Sequence, residues 1–273
     1  MKGDFTRWTF DASKRYSSVR LQQGRVLLDA DWNEQLDIVA YREQRANKEI
    51  IGLNGVPDTD SFAVGFESLE QIKLGQGCCY VEGVLCENIE EDYQLDIKTE
   101  FPGISEDGTT VNPGDYLVYL EVWQHHITAI EDEQLQEPAL GGPDTTTRTQ
   151  TYWQLKAKKL INKTKWRQEW KTIPGEDGTK GTLKVKSGIN LPNDLYRVEI
   201  HDVNGVNGAT KTTFKWASHN ASMVAEVKEI EQYKVTIIKN NQFQFPQEQG
   251  KEEFWIEITN EERVKTGQPG LFL

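Results

Sequence analysis

The sequence predicts a mostly-β (α+β) protein, with β-sandwich or barrel-like sheets and one prominent N-terminal amphipathic helix. Residues 32–51 have apolar side chains at helical spacing, whereas short apolar stretches typical of strands dominate after residue 70. Turns rich in Gly and Asn separate the later stretches at short intervals, as in a sandwich or barrel. The 273-residue chain is 37% hydrophobic and contains 8 Trp, 9 Tyr and 10 Phe, which is enough apolar material for a packed core.

The helix is predicted from about residue 32 to residue 51. Asp31 is the candidate N-cap, Glu34 completes a capping box, and Gly52 supplies a C-terminal stop. We expect the apolar face to pack on a sheet of the same chain and the charged face to meet water. Binding of a partner by the apolar face is the alternative. The apolar face carries Trp32, Leu36, Val39, Ala46 and Ile50.

Short strands are predicted through the rest of the chain. A two-residue turn at Glu82-Gly83 would form a hairpin that places Cys79 opposite Cys86, where we expect an unmodified pair of thiols. Residues 116–123 are too apolar for one face to meet water, so they are predicted as a central strand. The other predicted strands are residues 71–74, 78–81, 84–87, 152–157, 195–201, 212–216, 223–227, 233–239 and 254–258.

Three regions are predicted along the chain. Residues 1–160 form an N-terminal module that contains the helix and the hairpins. Residues 161–190 are polar, include Pro174-Gly175 and several lysines, and are predicted to be an excursion or a linker. Residues 191–273 form a second β-rich module.

The charge of the chain bounds its partners. There are 31 Lys and Arg against 43 Asp and Glu, which gives a formal net charge of −12. Such a surface repels phosphate backbones and anionic membranes, so we expect no nucleic-acid partner. The N-terminus lacks the apolar segment of a secretory signal, and no run of about 18 apolar residues is present, so no membrane insertion is expected. The predicted location is the cytoplasm.

No pattern of a catalytic site is found. A Gly-rich phosphate loop, a nucleophile elbow and a paired-histidine zinc helix are all absent from the sequence. His125 and His126 are consecutive on a predicted strand, where neighbouring side chains point to opposite faces and cannot share one metal ion without a bend. The sequence therefore predicts a protein that is not an enzyme and has no cofactor. A metal-dependent hydrolase using His125, His126, His201 or His219 is the alternative from the enzyme class.

Several blocks of the sequence resemble a known family. The chain opens with Met1-Lys2-Gly3-Asp4-Phe5-Thr6-Arg7, and a long distinctive block runs from Gln22 to Gln35. The further matching blocks are residues 80–88, 116–125, 140–154, 195–202 and 213–216. These blocks are similar to an uncharacterised family associated with phage-tail-like gene clusters, including those of contractile injection systems. The resemblance implies a structural part of a contractile particle and supplies no catalytic residue.

The predicted function is therefore a structural assembly subunit, either baseplate-associated or part of a cage-like extension. The implied partners are baseplate, spike or sheath proteins and further copies of the chain, in a particle assembled in the cytoplasm and later released or docked to a membrane. A carbohydrate-binding or polysaccharide-degrading tail appendage is the alternative. The Gly-Gly-Pro-Asp loop is predicted to be tight, as an oligomer contact or as a brace for the following strand. The predicted interface residues are Trp8, Phe10, Gly141, Gly142, Pro143, Asp144 and Arg148.

Overall fold

The structure, a computed structural model, describes ten stretches of the chain. They are residues 2–68, 71–97, 100–101, 104–105, 110–173, 195–202, 213–232, 234–238, 255–266 and 268–272. Within these stretches strands predominate and helices are few, which confirms the mostly-β, α+β prediction.

The helices and strands of the described residues have the following bounds, with the helices given first. The helices are α1 (Asp29–Ile51), α2 (Trp166–Trp170) and α3 (Glu261–Lys265). The strands of the first half are β1 (Asn54–Gly55), β2 (Val64–Phe66), β3 (Ile72–Leu74), β4 (Gly77–Val81), β5 (Val84–Asn88), β6 (Tyr93–Leu95), β7 (Tyr116–Ile127) and β8 (Arg148–Lys159). The later strands are β9 (Arg197–Asp202), β10 (Thr213–Ala217), β11 (Val227–Glu231), β12 (Lys234–Ile237), β13 (Glu257–Ile258) and β14 (Leu271–Phe272).

The described strands form small antiparallel sheets. Two sheets have three strands, in the orders β1-β4-β5 and β2-β3-β6, and the remaining strands pair as β7-β8, β9-β10, β11-β12 and β13-β14. Within the described part of the chain these sheets do not close into a barrel. The barrel-like form of the prediction is therefore not what these strands adopt.

The main core lies between the β2-β3-β6 sheet and the β7-β8 hairpin. Ile72 and Leu74 of β3 and Leu155 of β8 are buried in one cluster, together with Phe101 and Ile104 from the segment between β6 and β7. Two sheets that share one apolar layer in this way make a small sandwich.

The prediction that β7 is a central strand of a sheet is wrong within the described residues. Strand β7 pairs over twelve residues with β8, and no described strand lies along its other edge. Its apolar character has another cause, because both of its faces carry packed side chains. Leu120 packs against the core on one face, whereas on the other the Tyr119 ring lies 5.7 Å from the Trp170 ring of α2, centroid to centroid.

The hairpin β4-β5 has the predicted register. Cys79 lies opposite Cys86, and Glu82 and Gly83 form the turn with φ values of 49° and 82°. Both thiols are free, and burial raises the pKa of the Cys86 thiol to about 12. A thiol with such a pKa is a poor nucleophile at neutral pH.

The start of α1 differs from the prediction. The helix begins at Asp29, after Leu28, whose side chain makes no capping hydrogen bond, so the capping box at Asp31 and Glu34 is wrong. The Asp29 carboxylate instead accepts hydrogen bonds from the backbone N–H and the hydroxyl of Thr6, at 3.0 and 2.6 Å. A distant segment thus stabilises the helix N-terminus. The helix ends before Gly52, as predicted.

The other regional predictions have mixed outcomes. The described part of the excursion, residues 161–173, holds α2 and the buried Ile173, whereas residues 174–190 lie outside the described residues. The strand predicted at 223–227 is wrong except for its last residue, because β11 begins at Val227. The three-region division stays a prediction. Gly3 is tied to the predicted second module, since its N–H donates to the Asn220 carbonyl at 3.3 Å.

Candidate assembly surfaces

The C-terminal half of helix α1 packs on its own chain through polar side chains. The Gln44 amide donates to the Glu82 carbonyl oxygen at 3.2 Å, and the Asn47 amide donates to the Gly83 carbonyl oxygen at 3.3 Å. Lys48 forms an ion pair with the Glu82 carboxylate at 2.9 Å. The C-terminal half of α1 therefore rests on the turn of the β4-β5 hairpin.

The N-terminal segment lies along the first half of α1. The Val19 N–H donates to the Gln35 side-chain oxygen at 2.7 Å, and the Phe10 ring lies 5.6 Å from the Tyr41 ring. Trp8 is half-buried and lies edge-on to Phe5 at 5.6 Å. The predicted interface residues Trp8 and Phe10 thus pack partly within the chain, and their role in an interface stays a prediction.

The apolar face of α1 is exposed, contrary to the prediction that it packs on a sheet of the same chain. Trp32 is 60% exposed, Leu36 53%, Val39 50% and Ile50 83%, whereas Ala30 and Ile38 are the buried residues of the helix. At 100° per residue, Ala30 and Lys48 lie on the side of the helix opposite to the apolar residues, and Ile38 lies about 120° away from them. We call the exposed apolar face the helix stripe: Trp32, Leu36, Val39, Ala46 and Ile50.

The segment before α1 adds to this apolar surface. Residues 16–28 have neither helix nor strand. Gly24, with φ of 71°, turns the segment, and the Arg25 N–H donates to the Gln22 carbonyl oxygen at 3.3 Å. The large apolar side chains that it exposes are Tyr16, Leu21, Val26, Leu27 and Leu28.

The β9-β10 sheet also turns its apolar face to solvent. Phe214 lies opposite Ile200 and Trp216 lies opposite Val198, so four apolar side chains share one face. Phe214 is 67% exposed, Ile200 66%, Trp216 64% and Val198 42%. We call these four residues the sheet face. Tyr196 extends it, because its ring stacks on the Trp216 ring at 6.2 Å.

The opposite face of this sheet is charged and packs on the chain. Lys215 of β10 lies 3.1 Å from the Glu199 carboxylate and 2.5 Å from that of Glu257 in β13, and Arg197 also pairs with Glu199. Burial alone would raise the pKa of both glutamates, but the hydrogen bonds and charge of Lys215 lower it. Arg197 adds to this effect at Glu199, and Lys2 and the Gly270 N–H add to it at Glu257, so that the pKa of each is lowered. Antiparallel sheets commonly turn their polar face to water, and β9-β10 does the reverse.

Replacing Lys215 with methionine should lower the free energy of unfolding near neutral pH by about 1.5–3 kcal/mol. The partly buried Glu257 carboxylate would lose its cation, and Glu199 would keep only Arg197. Because the pKa of each glutamate is lowered in the fold, this stabilisation is present above the unfolded pKa and is lost as pH falls through the folded value. Urea unfolding followed by tryptophan fluorescence measures the loss. Lys228→Met, at an exposed position on β11, is the control, and equal stabilities of the two variants would contradict the assignment.

The Gly-Gly-Pro-Asp loop has the tight form that its sequence predicts. Gly141 and Gly142 have φ values of 87° and 97°, and the Gly142 N–H donates to the Glu137 carbonyl oxygen at 3.0 Å. Glu137 in turn donates its N–H to the Pro143 carbonyl oxygen at 2.9 Å. Asp144, the last residue of the loop, forms a bridge to Gln136, and the exposed Arg148 begins β8. These positions permit both an oligomer contact and a brace.

A cleft of 2540 Å³ opens beside this loop and includes both consecutive histidines. His125 stacks on Tyr152 at 5.1 Å and contacts the Glu131 carboxylate at 2.8 Å, whereas the His126 ring lies edge-on to Phe5 at 6.5 Å. The two rings point to opposite faces of β7, as predicted. Neither ring nitrogen of His126 has a hydrogen-bond partner in the described part of the chain, and burial lowers its pKa to about 4. A search of the described residues found no group of three or more potential metal ligands.

The fold and these surfaces define a mostly-β protein with one long helix and two apolar faces that point outward. It belongs to a family of unknown function, DUF6519, whose model matches residues 1–174. Searches of the curated proteins and of the solved structures found no match. The helices of the described residues include none that is long and apolar enough to cross a bilayer.

The sheet face was missed by the sequence reasoning, although a signal for it exists. Apolar and charged residues alternate strictly from Tyr196 to His201 and again from Phe214 to Trp216. Such alternation predicts a strand with one polar and one apolar face, but it does not say which face the chain covers.

Proposed function

We propose that the chain is a structural assembly subunit of a contractile, phage-tail-like particle, baseplate-associated or part of a cage-like extension. The observation that supports this proposal is that two separate elements expose apolar faces to solvent. Helix α1 and the β9-β10 sheet both make polar contacts with the chain and turn an apolar side to solvent. Surfaces of this kind are typical of subunits whose apolar faces are covered by neighbours.

The presence of two separate apolar faces favours assembly over an isolated existence. The largest exposed apolar patch of a soluble protein is often a functional interaction site. The chain exposes one apolar face on α1 and one on β9-β10. The kind of particle is proposed from the resemblance of the opening residues and the 22–35 block, which leads directly into the helix stripe.

The proposal is tested by following a tagged chain during particle purification from its source organism. We expect the wild-type chain to sediment with sheath and baseplate proteins. Leu36→Arg, in the helix stripe, should be lost from the particle fraction because it places a charge in the buried contact. Ile161→Arg changes a side chain that is 97% exposed and belongs to neither surface, so it should remain with the particle. A wild-type chain that never sediments with particles would contradict the proposed function.

A further inference from the structure

The helix stripe and the sheet face are complementary in form. An amphipathic helix and a sheet with one apolar face are the two components of a common protein layer, in which the helix lies on the sheet. Each chain carries one component of each kind, and both are exposed. A contact between the stripe of one copy and the sheet face of another would cover both surfaces with a single type of interface.

The dimensions agree with such a contact. Strands of five or six residues rise about 3.3 Å per residue, so the sheet face is about 15 Å long. A helix rises 1.5 Å per residue, and about 15 Å of sheet therefore spans about ten helical residues. Leu28, which precedes α1, and the first part of the stripe, from Trp32 to Val39, together have this length. On this face of the helix, no charged residue lies between the apolar side chains of the stripe from Trp32 to Val39. Glu43, which interrupts the stripe, lies beyond the edge of the contact.

The apolar area is sufficient for a specific interface. We take about 150–250 Å² for an aromatic side chain and about 60–120 Å² for an aliphatic one. With the observed exposures, Leu28 and the stripe from Trp32 to Val39 together offer about 250 Å², and the sheet face with Tyr196 offers about 400 Å². About 57% of the area of a typical interface is apolar, so the sum of these two apolar areas corresponds to a total buried interface area of about 1,100 Å². That area clears the roughly 1,000 Å² expected of a specific contact.

Pairing of identical surfaces is less favourable. Two stripes packed along their whole length would bring both Glu43 carboxylates into an apolar seam, where charges are costly. Two sheet faces packed together would leave both stripes exposed. Contact of unlike surfaces avoids both costs.

We propose that the helix stripe of one copy packs on the sheet face of the next copy, so that the chain associates with itself head to tail. This inference rests on the proposed function and names one partner of the subunit, namely a second copy. A head-to-tail contact generates a ring if the rotation closes and an open chain if it does not.

The test uses two purified full-length variants, each blocked on one surface. Leu36→Arg blocks the helix stripe and Phe214→Arg blocks the sheet face, and both positions are exposed, so folding should be retained. Trp32→Glu and Trp216→Glu are the second pair if either fails to fold by circular dichroism. Light scattering behind size exclusion should show, for the wild-type chain, a defined ring or a series of oligomers that grows with concentration. Each variant alone should be a monomer, with self-association weakened about 30-fold or more.

Mixing the two blocked variants distinguishes the possible partners. Each retains the surface that the other has lost, so the mixture should form a one-to-one dimer and no larger species. Dimers of Phe214→Arg alone would mean stripe-to-stripe pairing, and dimers of Leu36→Arg alone would mean pairing of sheet faces; either overturns the proposal. Ile161→Arg is the matched control and should associate like the wild type. A wild-type monomer at every concentration also overturns it, but leaves the proposed function standing if the chain still sediments with particles.

Discussion

Replacing Gly83 with alanine is expected to lower the free energy of unfolding by about 3 kcal/mol, through two effects. Gly83 has φ of +82°, a conformation that costs an L-residue about 1–2 kcal/mol. An added Cβ would also lie 2.1 Å from the Gln44 carbonyl oxygen in the backbone of α1. Overpacking of this kind typically costs about 1–3 kcal/mol, because α1 must move away from the hairpin turn. Thermal unfolding measured by circular dichroism should show the loss.

Gly141→Ala separates the two effects. Gly141 has a similar φ of +87°, but an added Cβ would meet nothing within 4 Å. Its substitution should therefore cost only the conformational part, about 1–2 kcal/mol. Equal losses for the two variants would show that α1 does not rest closely on the turn.

We expect the wild-type chain to lose stability on mild acidification because of His126. Replacing His126 with phenylalanine should abolish this pH dependence. Burial lowers the pKa of His126 from 6.5 to about 4, so the folded state holds the neutral ring. The unfolded chain then binds the proton first, and stability falls as pH drops from about 6.5 towards about 4. The loss amounts to about 2 kcal/mol between pH 7 and pH 5, and to about 3 kcal/mol when complete.

Near neutral pH the phenylalanine variant should be as stable as the wild type. The ring nitrogens of His126 have no hydrogen-bond partner among the described residues, so this change forfeits no described side-chain hydrogen bond. Urea unfolding at a series of pH values compares the slopes of the two proteins. His219→Phe, at an exposed position, should keep the wild-type slope. A His126→Phe slope equal to that of the wild type would contradict the burial of a neutral ring.

Much of the local structure could be predicted because its causes are local. The Glu82-Gly83 turn fixes the β4-β5 register, since a two-residue turn with both φ values positive leaves one pairing. Gly52 also has a positive φ and ends α1, and Gly141 and Gly142 close their loop with positive φ values as well. The N-terminus of α1 was misplaced because Asp29, the first residue of the helix, accepts hydrogen bonds from Thr6, and a contact more than twenty residues away does not enter a rule based on nearby side chains.

The sequence by itself determined which elements are amphipathic and where their two faces lie. Apolar spacing marked the stripe of α1, and strict alternation marks the two faces of β9 and β10. Only the tertiary structure decided which face the chain covers. On α1, Gln44, Asn47 and Lys48 find partners in the hairpin turn, and on β10 Lys215 finds Glu199 and Glu257. Periodicity in the sequence shows that an element has one apolar and one polar face. Which face is buried depends on contacts with residues far away in the sequence. In this protein those contacts are made by polar side chains, so the apolar faces remain in solvent.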